Sequence, residues 1–314
     1  MQVSGLENYK DLKILVTGGS GQIGSCLKQI KNDHKIIFYF PSSIDLNLKE
    51  QDSIKKYIDN NKINFVINLA AYTNVDKAET EKDESNLINN IAPTLIAKEC
   101  NKREIPLIHF STDYVFGGEG VGPFQPNDKK FPVNQYGKSK SLGEDNILKE
   151  NSNSLIIRVA SVFGHFGNNF IKTMTKLVLT KDEVNIVSDN QISMFYANDF
   201  SSNITKILDL FYNQETGSNI LHLASSKHTN WFEVSEIIAN QINIYDNRLS
   251  IAKLNPIDSK DWISMADRPT DSRLEINSDL LKKYDIKISS WEKAVREVVI
   301  KYLPTIIYEV KNGK

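Results

Sequence analysis

From residue 13 onward, short runs of β-branched and aromatic residues alternate with longer stretches in which apolar positions recur at helical spacing. That alternation is the pattern of βαβ units, whose parallel strands form a sheet covered by helices on both faces. Strands are predicted at Lys13–Val16, Lys35–Phe40, Phe65–Ala70, Leu107–Thr112, Leu155–Ala160 and Val184–Val187, with helices near 22–31, 50–61, 83–102, 134–150 and 168–180. Six such runs fill a doubly wound sheet. A helix near 197–212, a strand at Ile220–Ala224 and a helix from Trp231 to Gln241 follow, and the rhythm weakens around Ser250–Ile276. The predicted fold is α/β: a doubly wound parallel sheet over residues 11–230, with a substrate-side insertion near 165–183, and a smaller substrate-binding lobe over 231–314.

Ligands of such sheets bind outside the C-terminal ends of the strands. The first strand runs into Thr17-Gly18-Gly19-Ser20-Gly21-Gln22-Ile23-Gly24, placing Gly18, Gly21 and Gly24 between strand and helix. Glycines there permit a tight turn and let a pyrophosphate approach the free N–H groups of the helix N-terminus, so a dinucleotide is the expected ligand. No Gly-Lys-Ser/Thr follows, which argues against a P-loop. At the end of the second strand, Phe40-Pro41-Ser42-Ser43 stands where an acidic residue would hold a ribose 2′-hydroxyl. Without that carboxylate a 2′-phosphate is not repelled, and Ser42 and Ser43 can hydrogen-bond one; NADPH is expected over NADH. Asp45 is placed to accept from the adenine amino group, or else to stand as a solvated loop carboxylate.

Tyr136 and Lys140 are four apart on a predicted helix and therefore share a face. An ammonium beside a phenol lowers its pKa, so Tyr136 is expected to donate a proton to a carbonyl oxygen as hydride reaches the carbon. Tyr9 and Lys13 have the same spacing without any such context. The context that separates the pairs is the strand Leu107–Thr112, whose end Ser111-Thr112-Asp113-Tyr114 puts hydroxyls at the ligand edge of the sheet. Thr112 can hydrogen-bond the same carbonyl, orienting and polarising it.

Composition narrows the partners. The chain has 314 residues, 40% of them apolar, and 38 basic residues balance 39 acidic ones, so nothing electrostatic recruits nucleic acid or an anionic membrane. The longest apolar runs, such as Ile36–Phe40, are strand-sized, and Met1–Lys10 lacks the apolar core of a secretory signal; a cytoplasmic protein is expected. Two cysteines, Cys26 and Cys100, fit a reducing compartment. His34, His109, His165, His222 and His228 show no ligand or triad spacing; no metal is expected, and strand or loop roles are the default for them.

Longer segments carry a resemblance. They are Ile14–Gly24, Val66-Ile-Asn-Leu-Ala-Ala-Tyr-Thr-Asn-Val-Asp-Lys-Ala-Glu79, Ser111–Phe116, Tyr136-Gly-Lys-Ser-Lys140 with Gly143-Glu144, Gly167–Phe170 and Arg268-Pro-Thr-Asp-Ser-Arg-Leu274. In these the chain resembles the extended short-chain dehydrogenase/reductases, which have a Rossmann fold, and within them the dTDP-4-dehydrorhamnose reductase family. The resemblance implies that Thr112, Tyr136 and Lys140 are the catalytic set, with Lys140 also holding the nicotinamide ribose. It further implies that Gln22, Ile23, Ala70, Ala71 and Tyr72 line the cofactor groove, while Asp113, Tyr114, Asn169 and Arg268 lie toward a nucleotide-sugar. Arg268 is a suitable partner for a diphosphate because guanidinium binds phosphate bidentately.

The departures from the family pattern fall on the substrate side. Ser161 in Arg158-Val-Ala-Ser161 takes the place of a Trp, removing an expected aromatic wall for the sugar, and Ile192-Ser-Met-Phe195 replaces Gly-x-Pro-Thr, with Ala197 and Asp199 retained. Some members dimerise through magnesium held partly by a Glu where Cys26 stands here, so no magnesium-bridged dimer of that kind is expected, and a homodimer of another kind stays open. The implied activity is NAD(P)H-dependent reduction of the 4-keto group of a nucleotide-linked 6-deoxyhexose, dTDP-4-dehydrorhamnose first, for surface polysaccharide synthesis. The alternatives are a related reductase with another sugar and a non-catalytic nucleotide-binding subunit like that of methionine adenosyltransferase.

Overall fold

Every residue of the strands Phe65–Asn68, Leu107–Thr112 and Ser154–Val159 is buried, the state of parallel strands covered by helices on both faces. The computed structural model describes residues 11–30, 35–214 and 216–311. The expectations for Met1–Lys10, Tyr9 and His34 lie outside the described residues.

The described residues begin with β1 (Leu12–Thr17), α1 (Gln22–Leu27), β2 (Ile36–Tyr39), α2 (Gln51–Asn61) and β3 (Phe65–Asn68). After β3 come α3 (Val75–Thr80), α4 (Lys82–Asn86), a π-helical turn (Leu87–Ile91), α5 (Ala92–Asn101) and β4 (Leu107–Thr112). Next are α6 (Gln135–Glu150), β5 (Ser154–Val159), β6 (Val162–Phe163), α7 (Phe170–Thr180), β7 (Glu183–Val187), β8 (Phe195–Tyr196), α8 (Ala197–Ser202) and α9 (Ile204–Tyr212). The chain closes with β9 (Ile220–Leu223), α10 (Trp231–Tyr245), β10 (Lys253–Ile257), α11 (Ser278–Lys283) and α12 (Trp291–Lys311).

Six strands form one all-parallel sheet in the order β2-β1-β3-β4-β5-β9, the expected doubly wound Rossmann-type arrangement. From β1 the chain leaves to one side for β2 and returns on the other as β3, so the switch point, where such sheets open a crevice, lies between the ends of β1 and β3. One strand assignment is corrected. Val184–Val187 does not enter this sheet; as β7 it pairs in parallel with β10, from Glu183 opposite Lys253 to Val187 opposite Ile257, and β9 is the sixth strand. Strand-like patterning could not reveal which sheet a strand joins.

A second apolar core gathers Ile171, Met174 and Val178 of α7, Val234, Ile238 and Ile242 of α10, and Val295, Val298, Val299 and Leu303 of α12. The two cores interleave along the chain, since Leu280, Leu281 and Ile286 pack with the main sheet. The predicted helix 197–212 is broken at Asn203, whose side chain donates to the carbonyls of Asp199 and Lys287 at 2.7 and 2.9 Å and so ties the break to the chain after α11. Helix α12 had no counterpart in the expected elements.

Candidate active site

The glycine loop is shaped by backbone contacts. Gly18 has φ +66°, and a Cβ there would stand 2.6 Å from the Ala70 nitrogen, so β1 and β3 meet only through a residue without a side chain. At Gly24 a Cβ would lie 2.6 Å from the Gly18 oxygen, which fixes the seating of α1 on the loop. Gly21 is different: the nearest atom to a Cβ would be the Gly18 oxygen at 3.3 Å, and no side chain caps α1. A side chain would fit there only if the Gly18 carbonyl gave way by a few tenths of an ångström, and with no cap the first N–H groups of α1 stay open to a ligand, as a pyrophosphate cradle requires.

Helix α6 is pinned at its start. Asn134 caps it by accepting from Gly137 N at 2.8 Å and donates to the Asp267 carbonyl at 2.8 Å, while Glu79 accepts from Gln135 N at 2.7 Å. Gly137 lets the helix lie on the preceding loop, since a Cβ there would be 2.1 Å from the Tyr114 oxygen. Ser139 is bonded to Ser85 and Asn89, and Asn89 of the π-helical turn also holds Tyr72 N and O at 2.8 and 3.0 Å. π-Helical turns of this kind recur at functional sites; here the turn joins the loop after β3 to the helix bearing Tyr136 and Lys140. At the far end, Glu144 and Arg158, both fully buried, form a bidentate pair at 2.8–2.9 Å, with the guanidinium 4.9 Å over Phe116.

These anchors bring Tyr136, Lys140 and Thr112 to one cleft of about 490 Å³ whose other end is walled by Gly18, Gly21 and Gln22. Burial sets their acid–base state. The Tyr136 phenol is pushed up to about 12 by desolvation, with the Thr112 hydroxyl beside it pulling the other way. Lys140 is pushed down to about 8 by burial, and its Nζ donates to the Phe110 carbonyl at 2.6 Å. The expectation that Lys140 lowers the phenol pKa is therefore corrected for this state: the amine turns inward, and desolvation dominates both groups. Asp113 is pushed up to about 6 by burial, against the Ser272 and Thr112 hydroxyls, which favour the carboxylate; its Oδ1 accepts from Thr112 Oγ1 at 3.0 Å, and among the described residues its Oδ2 makes no well-formed hydrogen bond.

A second cavity of about 730 Å³ continues outward, and Tyr114, Ser161 and Trp231 line both. Arg268 lies on its wall, but Asp76 already grips the guanidinium through two bonds of 2.8 and 3.1 Å. The sequence gives no sign of that pairing, because Asp76 is 192 positions away.

With this geometry in view, similarity to known proteins is informative. The family described as "RmlD substrate binding domain" matches residues 12–303. This chain belongs to that family. The spore coat polysaccharide biosynthesis protein SpsK of Bacillus subtilis is 32% identical to this RmlD-family chain over 91% of it and 96% of the relative. A dTDP-4-dehydrorhamnose reductase of Aggregatibacter actinomycetemcomitans is 30% identical over 91% and 98%. Among solved structures, the dTDP-4-dehydrorhamnose reductase of Bacillus anthracis in complex with NADP superposes with a TM-score of 0.81 at 27% identity, covering 92% of this chain and 99% of that one.

Of the residues expected in the cofactor groove of this RmlD-family chain, Gly18, Gly21, Gln22, Ile23, Gly24, Ala71, Tyr136 and Lys140 line the inner cleft. Asp45, Ala70 and Tyr72 are not on its wall. Asp45 is exposed and holds Ser42 N and Oγ at 3.0 and 2.7 Å, which orders the loop after β2 and occupies the serine. Ala70 N donates to Asn68 at 3.2 Å, and the Tyr72 hydroxyl donates to Glu81 at 2.6 Å. On the substrate side, Asp113 and Tyr114 reach the cleft, while Asn169 caps α7 and donates to Gln22 at 3.1 Å, with its neighbour Asn168 on the wall. Ile192 reaches the outer cavity, but Met194 and Phe195 are core residues, so the 192–195 change touches the cavity at one position.

Two further residues were missed from sequence. Trp231, packed 4.3 Å from Phe170, supplies an aromatic surface beside Ser161, so the wall is not bare as expected. Its signal was available: α10 follows β9, and a helix that starts at the ligand edge presents its first residue there. His109, expected to be a strand residue, lies fully buried with Nε2 3.1 Å from Lys140 Nζ. Cys26 is buried, its Sγ donating to Asn198 at 3.0 Å.

Proposed function

We propose that this protein reduces the 4-keto group of a nucleotide-linked 6-deoxyhexose with NADPH, dTDP-4-dehydrorhamnose being the substrate and dTDP-L-rhamnose the product. The observation that carries this reading is the single cleft in which the open glycine loop, Thr112, Tyr136 and Lys140 meet and from which the larger cavity leads outward. NADPH, the reduced form of the NADP held by the Bacillus anthracis relative, would supply the hydride when bound.

The chain's own residues do the rest. Gly21 and the start of α1 receive the pyrophosphate, and Lys140 meets the nicotinamide ribose. Tyr136 donates its hydroxyl proton to the carbonyl oxygen as the carbon is reduced, and Thr112 hydrogen-bonds that oxygen once its own proton turns away from Asp113. Asp113 takes a sugar hydroxyl on its unpartnered oxygen, Tyr114 and Trp231 face the hexose ring, and Arg268 offers the diphosphate the part of its guanidinium that Asp76 leaves. Among the described residues no helix is long and apolar enough to cross a membrane, in keeping with work on dissolved metabolites in the cytoplasm.

Tyr136→Phe tests the reading. It removes one oxygen from a half-buried ring, so NADPH should still bind with wild-type affinity while kcat falls by at least about a thousandfold. Turnover within a few-fold of wild type would remove Tyr136 from the proton-donor role.

A further inference from the structure

Lys140 is buried beneath the cleft, and what surrounds its amine specifies its protonation. Asn68, at the end of β3, is oriented without ambiguity: its Oδ1 accepts from Thr17 Oγ1 at 2.5 Å and from Ala70 N at 3.2 Å. Its amide nitrogen therefore faces His109 Nδ1, 2.9 Å away. An amide nitrogen has only protons to offer, so Nδ1 is the acceptor, and the single proton of the neutral imidazole sits on Nε2. That N–H points at Lys140 Nζ, 3.1 Å away. An ammonium has three donors and no acceptor, whereas an amine keeps one lone pair. Only the amine satisfies both neighbours, accepting from His109 and donating to the Phe110 carbonyl at 2.6 Å.

We infer that His109 is a positioning residue: locked in its Nε2–H tautomer by Asn68 and Thr17, it favours the neutral amine of Lys140 in the free protein, so at alkaline pH cofactor binding is coupled to uptake of one proton at Lys140. Burial acts in the same direction, depressing His109 well below its usual range and Lys140 to about 8. The groups around the amine are His109 and the Phe110 carbonyl from β4 and, on α6, Glu144, whose carboxylate favours the ammonium but is already committed to Arg158.

The inference rests on the proposed function, in which the ribose hydroxyls give Lys140 new acceptors. A proton from solvent then bonds to the Nζ lone pair and the Nε2–H···Nζ hydrogen bond breaks, with no electrons transferred. After Tyr136 has given its proton to the carbonyl oxygen, the ammonium returns one to the phenolate and becomes the amine that His109 accommodates. One proton is thus consumed per ketone reduced, as the net reaction requires.

Calorimetric titration of NADPH into the full chain, in two buffers of unlike ionisation enthalpy, counts the protons. Wild type should take up about one proton per site near pH 9 and close to none near pH 6.5, where Lys140 is already charged. Asn68→Asp replaces the amide nitrogen by an acceptor, which moves the imidazole proton to Nδ1 and turns Nε2 toward an ammonium; His109→Gln lets a carbonyl oxygen face Nζ. Both variants should bind NADPH with uptake near pH 9 reduced to less than about a third of wild type, and the alkaline limb of kcat/KM should move to higher pH. A purely structural role for His109 would move neither. Binding without uptake in wild type, or uptake unchanged in either folded variant, would overturn the inference; absence of NADPH binding would overturn the functional reading, and the inference with it.

Discussion

Asp113 follows Thr112 at the ligand edge and is nearly inaccessible, with one carboxylate oxygen unpartnered among the described residues. Its folded-state pKa lies near 6, above the ordinary 3.8, so the folded protein holds this proton more tightly than the unfolded chain. The stabilisation is present below about pH 4 and is lost as pH rises toward 6, above which the buried charge costs roughly 2–3 kcal/mol. Asp113→Asn should therefore raise stability near pH 7.5 by about 1–3 kcal/mol and flatten its slope between about pH 4 and 6, as urea unfolding at several pH values would reveal. A variant less stable than wild type at pH 7.5 would contradict that assignment. Trp231 gives a second test: Trp231→Ala should raise KM for the nucleotide-sugar about tenfold or more and leave NADPH affinity unchanged, with Trp231→Phe in between. Thr112, Tyr136 and Lys140 could be read from spacing because two of them share one helix and the third ends a strand. Trp231 and His109 could not, since their importance comes from neighbours brought close only by the fold.

At the scale of elements, α6 carries the chemistry and its anchors can be tested separately. Removing one partner of the buried Glu144–Arg158 pair strands the other charge, so Glu144→Gln should cost about 3–5 kcal/mol, whereas the exposed Lys49–Glu84 pair should be worth under about 1 kcal/mol. Denaturant titration of Glu144→Gln and Lys49→Gln compares them directly. Gly137→Ala puts a methyl against the Tyr114 carbonyl and displaces the start of α6; a folded protein with kcat/KM lowered on the order of 100-fold is expected. The elements were legible where hydrophobic period and capping agreed, as in α6 and α7, capped by Asn134 and Asn169. They were less so where a side chain intervenes: Asn203 divides one expected helix, and the π-helical turn at Leu87–Ile91 interrupts another so that Asn89 can hold Tyr72. Trp291, Val295, Val298, Val299 and Leu303 repeat at helical spacing along α12, so the period of that unassigned helix is present in the sequence, although Pro304 lies inside it.

Across the whole molecule, the main sheet supplies the inner cleft and the second core much of the outer cavity, through Phe170, Met174, Ile186, Ile192 and Trp231. The doubly wound sheet was readable because its strands are buried on both faces and return at regular intervals. Pairing of β7 with β10 was not, because Glu183 and its partner Lys253 stand 70 positions apart with no local signal to join them. Under the proposed function, transfer of hydride from NADPH to the sugar C4 takes place in this composite cleft. It is tested most directly by supplying NADPH deuterated at the transferring nicotinamide position together with freshly generated dTDP-4-dehydrorhamnose, and locating the label by NMR. Deuterium at C4 of dTDP-L-rhamnose, lost in Tyr136→Phe, is the predicted result; bound NADPH with no labelled product would contradict it.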